Sequence, residues 1–264
     1  MSEAAAPRLP YRVHGAGDAP YLFCVHGMLS SHLQWTPNLA VLEKRVRPVL
    51  FDLWGHGDAP TPEDDARYTV EAIIGEFERA REALGAERIL LCGQSLGAGL
   101  TLRYAIQHPA RIVAQIFTNS RSALLAPEAL GSPEESAARA EAIERGGRAA
   151  LGKLPFHPRH ARRLPPALRE AMAAVADATD PRAVARLMRI ARSQLSVLGE
   201  LQRIDCPTLL VNGRGERSFQ PLREVAAHRI RGIRIADIDG GHAVNLENPE
   251  GFNAAVTAFL REVL

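Results

Sequence analysis

The run Arg88-Ile89-Leu90-Leu91-Cys92 is apolar and β-prone, and it breaks directly into Gly93-Gln94-Ser95-Leu96-Gly97. A helical stretch with further small residues, Ala98 and Gly99, follows at once. Few architectures accommodate that succession. A strand that becomes a helix across one Gly-x-Ser-x-Gly pentapeptide must bend sharply, and small residues flanking the serine are what so tight a bend requires. The serine then projects from the carboxyl end of the strand. Because an ordinary glycine-rich turn with a capping serine shares the pattern, the flanking strand and helix carry the signal more than the pentapeptide does.

The same alternation recurs on both sides of the chain's middle. Apolar runs at 21–25, 47–52, 88–92, 112–118, 208–212 and 233–238 read as strands, and residues 33–44, 69–84, 96–107, 221–229 and 249–263 read as helices. That order predicts an α/β fold with a mostly parallel sheet and helices on both faces. Residues 11–14 suit an antiparallel edge strand, joined to the next by the turn-rich GAGDAP. Between the two halves the periodicity changes to helical throughout. Ser132, Pro133 and Glu135 supply a capping box, with Gly146 and Gly147 as a stop, so a helix is expected over 133–145. A second begins at Asp180-Pro181, with Val184, Leu187, Met188, Ala191, Leu195 and Leu198 on one face. The chain therefore divides into residues 1–120 and 204–264, forming one α/β core, and residues 121–203, a helical lid over the strand ends.

Several function classes fall away on composition. Net charge is only +2, which gives no case for nucleic acid or for an anionic membrane surface, although residues 120–200 hold 13 Lys and Arg against 9 Asp and Glu. No stretch approaches the length of a membrane-spanning helix, and MSEAAAPRLP lacks the basic start and apolar block of a leader, so a cytoplasmic location is expected. Cys24, Cys92 and Cys206 lie in or beside strand runs and read as free core thiols. His157 and His160 form a weak metal pattern with no thiol or carboxylate beside them in the sequence, so no metal is assigned.

A serine hydroxyl needs a base to remove its proton as it attacks. His242, in Asp239-Gly240-Gly241-His242 directly after the last strand run, is the best placed of nine histidines. The imidazole needs an acid to fix its tautomer. Glu216 follows the run PTLLVN, at the carboxyl end of a strand, although Arg214 and Arg217 beside it could instead hold it in a surface ion pair. Attack on a carbonyl also calls for two N–H donors to the oxyanion. Leu96 supplies one, and Met28, in His26-Gly27-Met28 after the strand run YLFCV, the other.

Taken together these residues resemble the α/β-hydrolase superfamily over nearly the whole chain outside the lid. His26-Gly27 resembles its oxyanion loop, Asp52-Leu53-Trp54-Gly55-His56-Gly57 the turn after the next strand, and Gly93 to Gly97 its nucleophile elbow. Gly213 to Glu216 is similar to the acid loop, and Gly241-His242 with Glu247, Asn248 and Pro249 to the histidine loop and its following helix. The acid position in the family more often holds Asp, so Glu216 brings a methylene that its loop must absorb. Relatives that place the acid after the strand preceding the lid have no counterpart here, where Thr118-Asn119-Ser120-Arg121 carries no carboxylate. The lid is loosely similar to those of 3-oxoadipate enol-lactonases.

The resemblance implies a serine hydrolase that needs no cofactor, with Ser95, His242 and Glu216 catalytic, Met28 and Leu96 as the oxyanion hole, and a small-molecule ester or lactone as substrate. Read from their positions, Arg121, at a strand end, either binds a substrate carboxylate or lies on a solvated face, and Trp35 either lines the pocket or packs in the core or against the lid; both are assigned to substrate binding. Arg182, Arg186, Arg189 and Arg192 read as a solvated face. The same three residues also serve carbon–carbon bond hydrolysis of ring-cleavage products in this superfamily, and a non-catalytic member would keep the pocket for ligand recognition. Sequence does not separate these readings, nor does it give the oligomeric state.

Overall fold

The computed structural model describes residues 7–264. The first six residues, on which the expectation of no leader rests and at which the first α/β segment is expected to start, lie outside it. Strands β1 (Tyr11–Val13), β2 (Tyr21–Val25), β3 (Arg47–Phe51), β4 (Ile89–Gly93), β5 (Ile112–Thr118), β6 (Thr208–Gly213) and β7 (Arg234–Ile238) form one sheet in the order β1-β3-β2-β4-β5-β6-β7. The short edge strand β1 runs antiparallel to β3, and every other pair is parallel.

Helices α1 (Thr36–Leu42), α2 (Val70–Ala83) and α3 (Leu96–Gln107) link the first strands. The insertion between β5 and β6 holds α4 (Arg121–Leu124), α5 (Pro133–Leu151), α6 (Pro166–Ala178), α7 (Pro181–Arg186) and α8 (Arg192–Gln194). Helices α9 (Gln220–Arg229), α10 (Val244–Glu247) and α11 (Pro249–Val263) follow in the last part. Among the described residues no helix is long and apolar enough to cross a membrane.

Side chains of a strand alternate between faces, and both faces of this sheet are covered at its centre, which is why β2 and β4 read as apolar runs. In β2, Phe23 and Val25 pack with Phe51, Phe77 and Tyr104 under α2 and α3. Leu22 and Cys24 point the other way, toward Trp35, Phe252 and Val256 under α1 and α11. Full burial of one such large side chain contributes about 1.5–3 kcal/mol. Cys24 and Cys92 pair in register on β2 and β4 and are free, with burial pushing the Cys24 thiol up.

The strand order dictates where a ligand can sit. From β2 the chain moves outward to β3, then returns to place β4 on the opposite side of β2. The loops after β2 and β4 therefore diverge, and their carboxyl ends open a crevice of the kind in which α/β proteins bind ligands.

The insertion departs from its sequence pattern in three places. Gly147 adopts φ 55° and kinks α5 without ending it, so the helix continues to Leu151. Helix α6 buries only Met172 and Ala176, too few positions for an apolar stripe to announce it. The series from Val184 to Leu195 is buried as its spacing implies, yet the helix is not uniform. Leu187–Ala191 is a π-turn, with the Arg192 N–H reaching back to Leu187 O, and Leu198 begins a separate 3₁₀ turn.

Candidate active site

Ser95 stands between β4 and α3 with φ 53° and ψ −112°. Among the described non-glycine residues only Leu29, at φ 58°, shares a positive φ. Such backbone costs on the order of 1–3 kcal/mol per residue, so the surroundings must hold it in place. Gln94 N–H donates to Val25 O at 3.0 Å, and Ser120 Oγ donates to Ser95 O at 2.7 Å. A Cβ at Gly93 would stand 2.4 Å from Gly97 O, and one at Gly97 2.1 Å from Val25 O. The bend thus packs backbone to backbone against the end of β2, and no side chain fits there.

Leu29 belongs to the loop after β2, and three side chains pin that loop. His26 Nδ1 donates to Gly27 O at 2.7 Å and His26 Nε2 accepts from Leu53 N–H at 3.0 Å. His56 Nε2 accepts from Leu29 N–H at 3.2 Å while its Nδ1 donates to Trp54 O, and Gln34 Oε1 accepts from Gly27 N–H. Burial holds both imidazoles below the usual range, His56 down to about 3, so they stay neutral and can accept. Gly27 and Leu29 thereby spend their N–H groups inside the protein. The Met28 N–H, like that of Leu96, has no partner among the described residues.

His242 follows β7, and its Nδ1 lies 2.9 Å from Glu216 Oε2. The longer acid side chain spans from the loop after β6, and neither Arg214 nor Arg217 pairs with it among the described residues. Asn119 Nδ2 donates to the same Oε2 at 2.9 Å and to Gly213 O at 3.0 Å, while Asn119 Oδ1 accepts from Gly213 N–H. Burial works against ionisation of Glu216. The His242 and Asn119 hydrogen bonds and the Arg121 charge overcome that, and its carboxyl lies below the ordinary range. Burial likewise opposes protonation of His242, but Glu216, with Glu247 behind it, outweighs burial and the opposing Arg121, so the imidazole lies above its usual value.

The histidine loop is clamped twice more. Glu247 accepts from Gly241 N–H at 2.6 Å and from Ala243 N–H at 3.1 Å, and Gln94 Nε2 donates to His242 O at 3.1 Å. Sequence reading placed His26, His56 and Gln94 in the right loops without giving their side chains a role, and did not single out Asn119 or Gln34. For Asn119 a signal existed: it occupies the end of β5, a position inspected only for a carboxylate.

Ser95, Leu96, Met28, Glu216 and His242 all border one cavity of about 590 Å³, roofed by the insertion, a volume suited to a small molecule. Arg121 borders it too. Trp35 does not. Its ring is fully buried against Phe252, at 6.3 Å between centroids, because the 3₁₀ turn His32–Trp35 ahead of α1 directs it into the core on the α1 and α11 side of the sheet. Trp35→Ala is accordingly expected to destabilise the fold by about 3–5 kcal/mol in urea unfolding, the usual loss for a core aromatic. A pocket role would instead raise KM at unchanged stability.

The insertion's arginines also divide. Arg182 pairs with Asp180, Arg186 with Asp65, and Arg189 with Asp65 and Glu144. Arg192 is not on a solvated face: it borders the cavity, half-buried. His157 Nε2 lies 3.3 Å from Asp177 Oδ1, and His160 Nε2 lies 3.1 Å from Gly152 O, contacts that tie the insertion together. Among the described residues no group of three metal-binding side chains is present.

Comparison with known proteins agrees with this fold. The family described as the alpha/beta hydrolase family matches residues 13–255. A curated protein of Escherichia coli, RutD, whose name carries a provisional carbamate hydrolase assignment, is 33% identical over 103 residues. That match spans 39% of this chain and 37% of the relative, little more than a third of its length. Among solved structures, MenH from S. aureus superposes with a TM-score of 0.86 at 20% identity, covering 96% of this chain and 98% of that one. The enol-lactonase from Burkholderia xenovorans LB400 gives 0.79 at 24% identity, covering 96% of each chain. At such identities the likeness is one of fold.

Proposed function

The chain belongs to the alpha/beta hydrolase family, and from that membership we propose that it is a serine hydrolase cleaving an ester or lactone of a small molecule through an acyl-enzyme. The observation that carries this reading is the 2.9 Å contact of His242 Nδ1 with Glu216 Oε2, made at the mouth of the cavity that Ser95 also borders. With Nδ1–H donated to a carboxylate, the lone pair of the neutral imidazole resides on Nε2, the nitrogen left to serve as base. His242 takes the Ser95 proton as Oγ attacks the carbonyl carbon, and returns it to the leaving oxygen. Water then repeats the sequence on the acyl-enzyme.

The negative charge that develops on the carbonyl oxygen falls to the unspent N–H groups of Met28 and Leu96. Both sit on backbone fixed before substrate arrives, so little reorganisation opposes the reaction. No cofactor enters the scheme. An enol-lactonase among the structural neighbours and the provisional carbamate hydrolase among the curated relatives are consistent with acyl transfer of this kind. Intact-mass spectrometry after exposure to a fluorophosphonate tests the reading. One adduct per chain, mapping to Ser95, is expected; an unmodified chain, or label on another residue, rejects it.

A further inference from the structure

Two cations face the cavity without a counter-ion. Neither Arg121 nor Arg192 forms an ion pair among the described residues, whereas the neighbouring Arg186 and Arg189 each have an acidic partner. Arg192 is the more telling of the two. Its Nε is shut off from solvent and has no hydrogen-bond partner among the described residues, and a buried donor left unpaired is disfavoured. The cavity's acidic residues are already committed, Glu216 to His242 and Asn119, and Glu247 to the loop at Gly241 and Ala243. Burial, together with the positive charges of Arg139 and Arg121, holds the Arg192 guanidinium below its ordinary value, so an anion arriving there would relieve repulsion as well as supply acceptors.

The backbone is also unusual at this point. Arg192 follows the π-turn Leu187–Ala191, its own N–H closing the wide loop to Leu187 O. Turns of this type are frequent at functional sites. Leu187, Met188, Arg192 and Leu195 all reach the cavity wall, so Arg192 stands there among apolar side chains of its own stretch of chain.

We infer that Arg192, with Arg121, forms an anion subsite that receives a carboxylate carried by the substrate, separated from the scissile carbonyl by an apolar stem. This inference rests on the serine hydrolase reading for its reaction, but not for its binding. A guanidinium fork matches a carboxylate bidentately, and the apolar members of the cavity lining, Leu187, Met188 and Leu195 among them, suit methylene groups.

Two matched ester pairs test it. One compares 4-nitrophenyl hydrogen glutarate with 4-nitrophenyl pentanoate, placing the charge in the acyl group; the other compares 4-acetoxybenzoate with phenyl acetate, placing it in the leaving group. In at least one pair the charged member should be preferred in kcat/KM, and Arg192→Met should reduce that charged-to-neutral ratio by about 10- to 100-fold, the span of a lost charge-assisted hydrogen bond. Arg192→Lys, which keeps the charge and loses the fork, should fall between. Methionine removes an uncompensated charge from an apolar wall, so its melting temperature should not drop. Ratios near one in both pairs, or a preference that survives Arg192→Met, overturn the subsite.

Calorimetric titration with glutarate separates this inference from the reaction it rests on. Glutarate should bind the wild-type protein and lose about 10-fold or more in affinity with Arg192→Met. If no ester is turned over while glutarate binding still depends on Arg192, the hydrolase reading fails and the subsite stands; wild-type protein that does not bind glutarate and shows no charged-ester preference ends it.

Discussion

Ser95→Ala is expected to lower turnover by about 10⁶, the scale on which removal of a triad nucleophile acts, with circular dichroism and melting behaviour close to wild type. The size of the effect follows from how the labour is divided. A serine hydroxyl is almost inert at neutral pH, so its reactivity depends on having His242 as base, and the base is equally idle without an oxygen to deprotonate. Losing either member therefore removes the same unit. The double variant Ser95→Ala/His242→Ala should be no slower than Ser95→Ala alone, leaving a residual rate of about 10³-fold over water from Met28, Leu96 and substrate positioning. If the two single losses multiplied in the double variant, the residues would be acting independently and the proposed mechanism would be wrong.

How far sequence could reach follows from the kind of physics each feature depends on. The strands were legible because a sheet covered on both faces favours apolar side chains along the whole strand, and β2 and β4 comply, as does β5 apart from Gln115 and Thr118. Ser95 was legible because its bend excludes side chains at Gly93 and Gly97, a steric demand written in adjacent residues. Trp35 was not, since the few residues separating it from the oxyanion loop say nothing of which side of the sheet the 3₁₀ turn His32–Trp35 directs it toward. Its burial against Phe252 joins positions far apart in the chain.

Arg192 illustrates the opposite failure. Helical periodicity groups it with Arg182, Arg186 and Arg189, but the π-turn just before it changes the rotation per residue, and no spacing rule signals that change in advance. Asn119 was overlooked for a chemical reason: its part is to donate a hydrogen bond to the acid instead of being one.

That donated bond shapes what the acid does. The expected result for Glu216→Ala is a fall in kcat of about 3 × 10⁴, the loss typical of a triad acid, because both the orientation of His242 and the charge that stabilises its protonated form disappear. Glu216→Gln separates the two. Asn119 Nδ2 and His242 Nδ1 both converge on Oε2 as donors, so a glutamine amide oxygen can occupy that place and keep the imidazole aligned. Glutamine should therefore be faster than alanine while sharing its loss of charge.

The pH profile reads the charge alone. Free-enzyme kcat/KM requires neutral His242, and because the Glu216 carboxylate raises the imidazole above its usual value, wild-type activity declines as pH falls through that raised value. Without the carboxylate, burial and Arg121 act against protonation with only Glu247 to oppose them. The acidic limb must then move to lower pH in both variants, even as the plateau drops. A limb that stayed at its wild-type position in Glu216→Gln would mean that the carboxylate orients the imidazole without setting its proton affinity, and the electrostatic half of its assigned role would be lost.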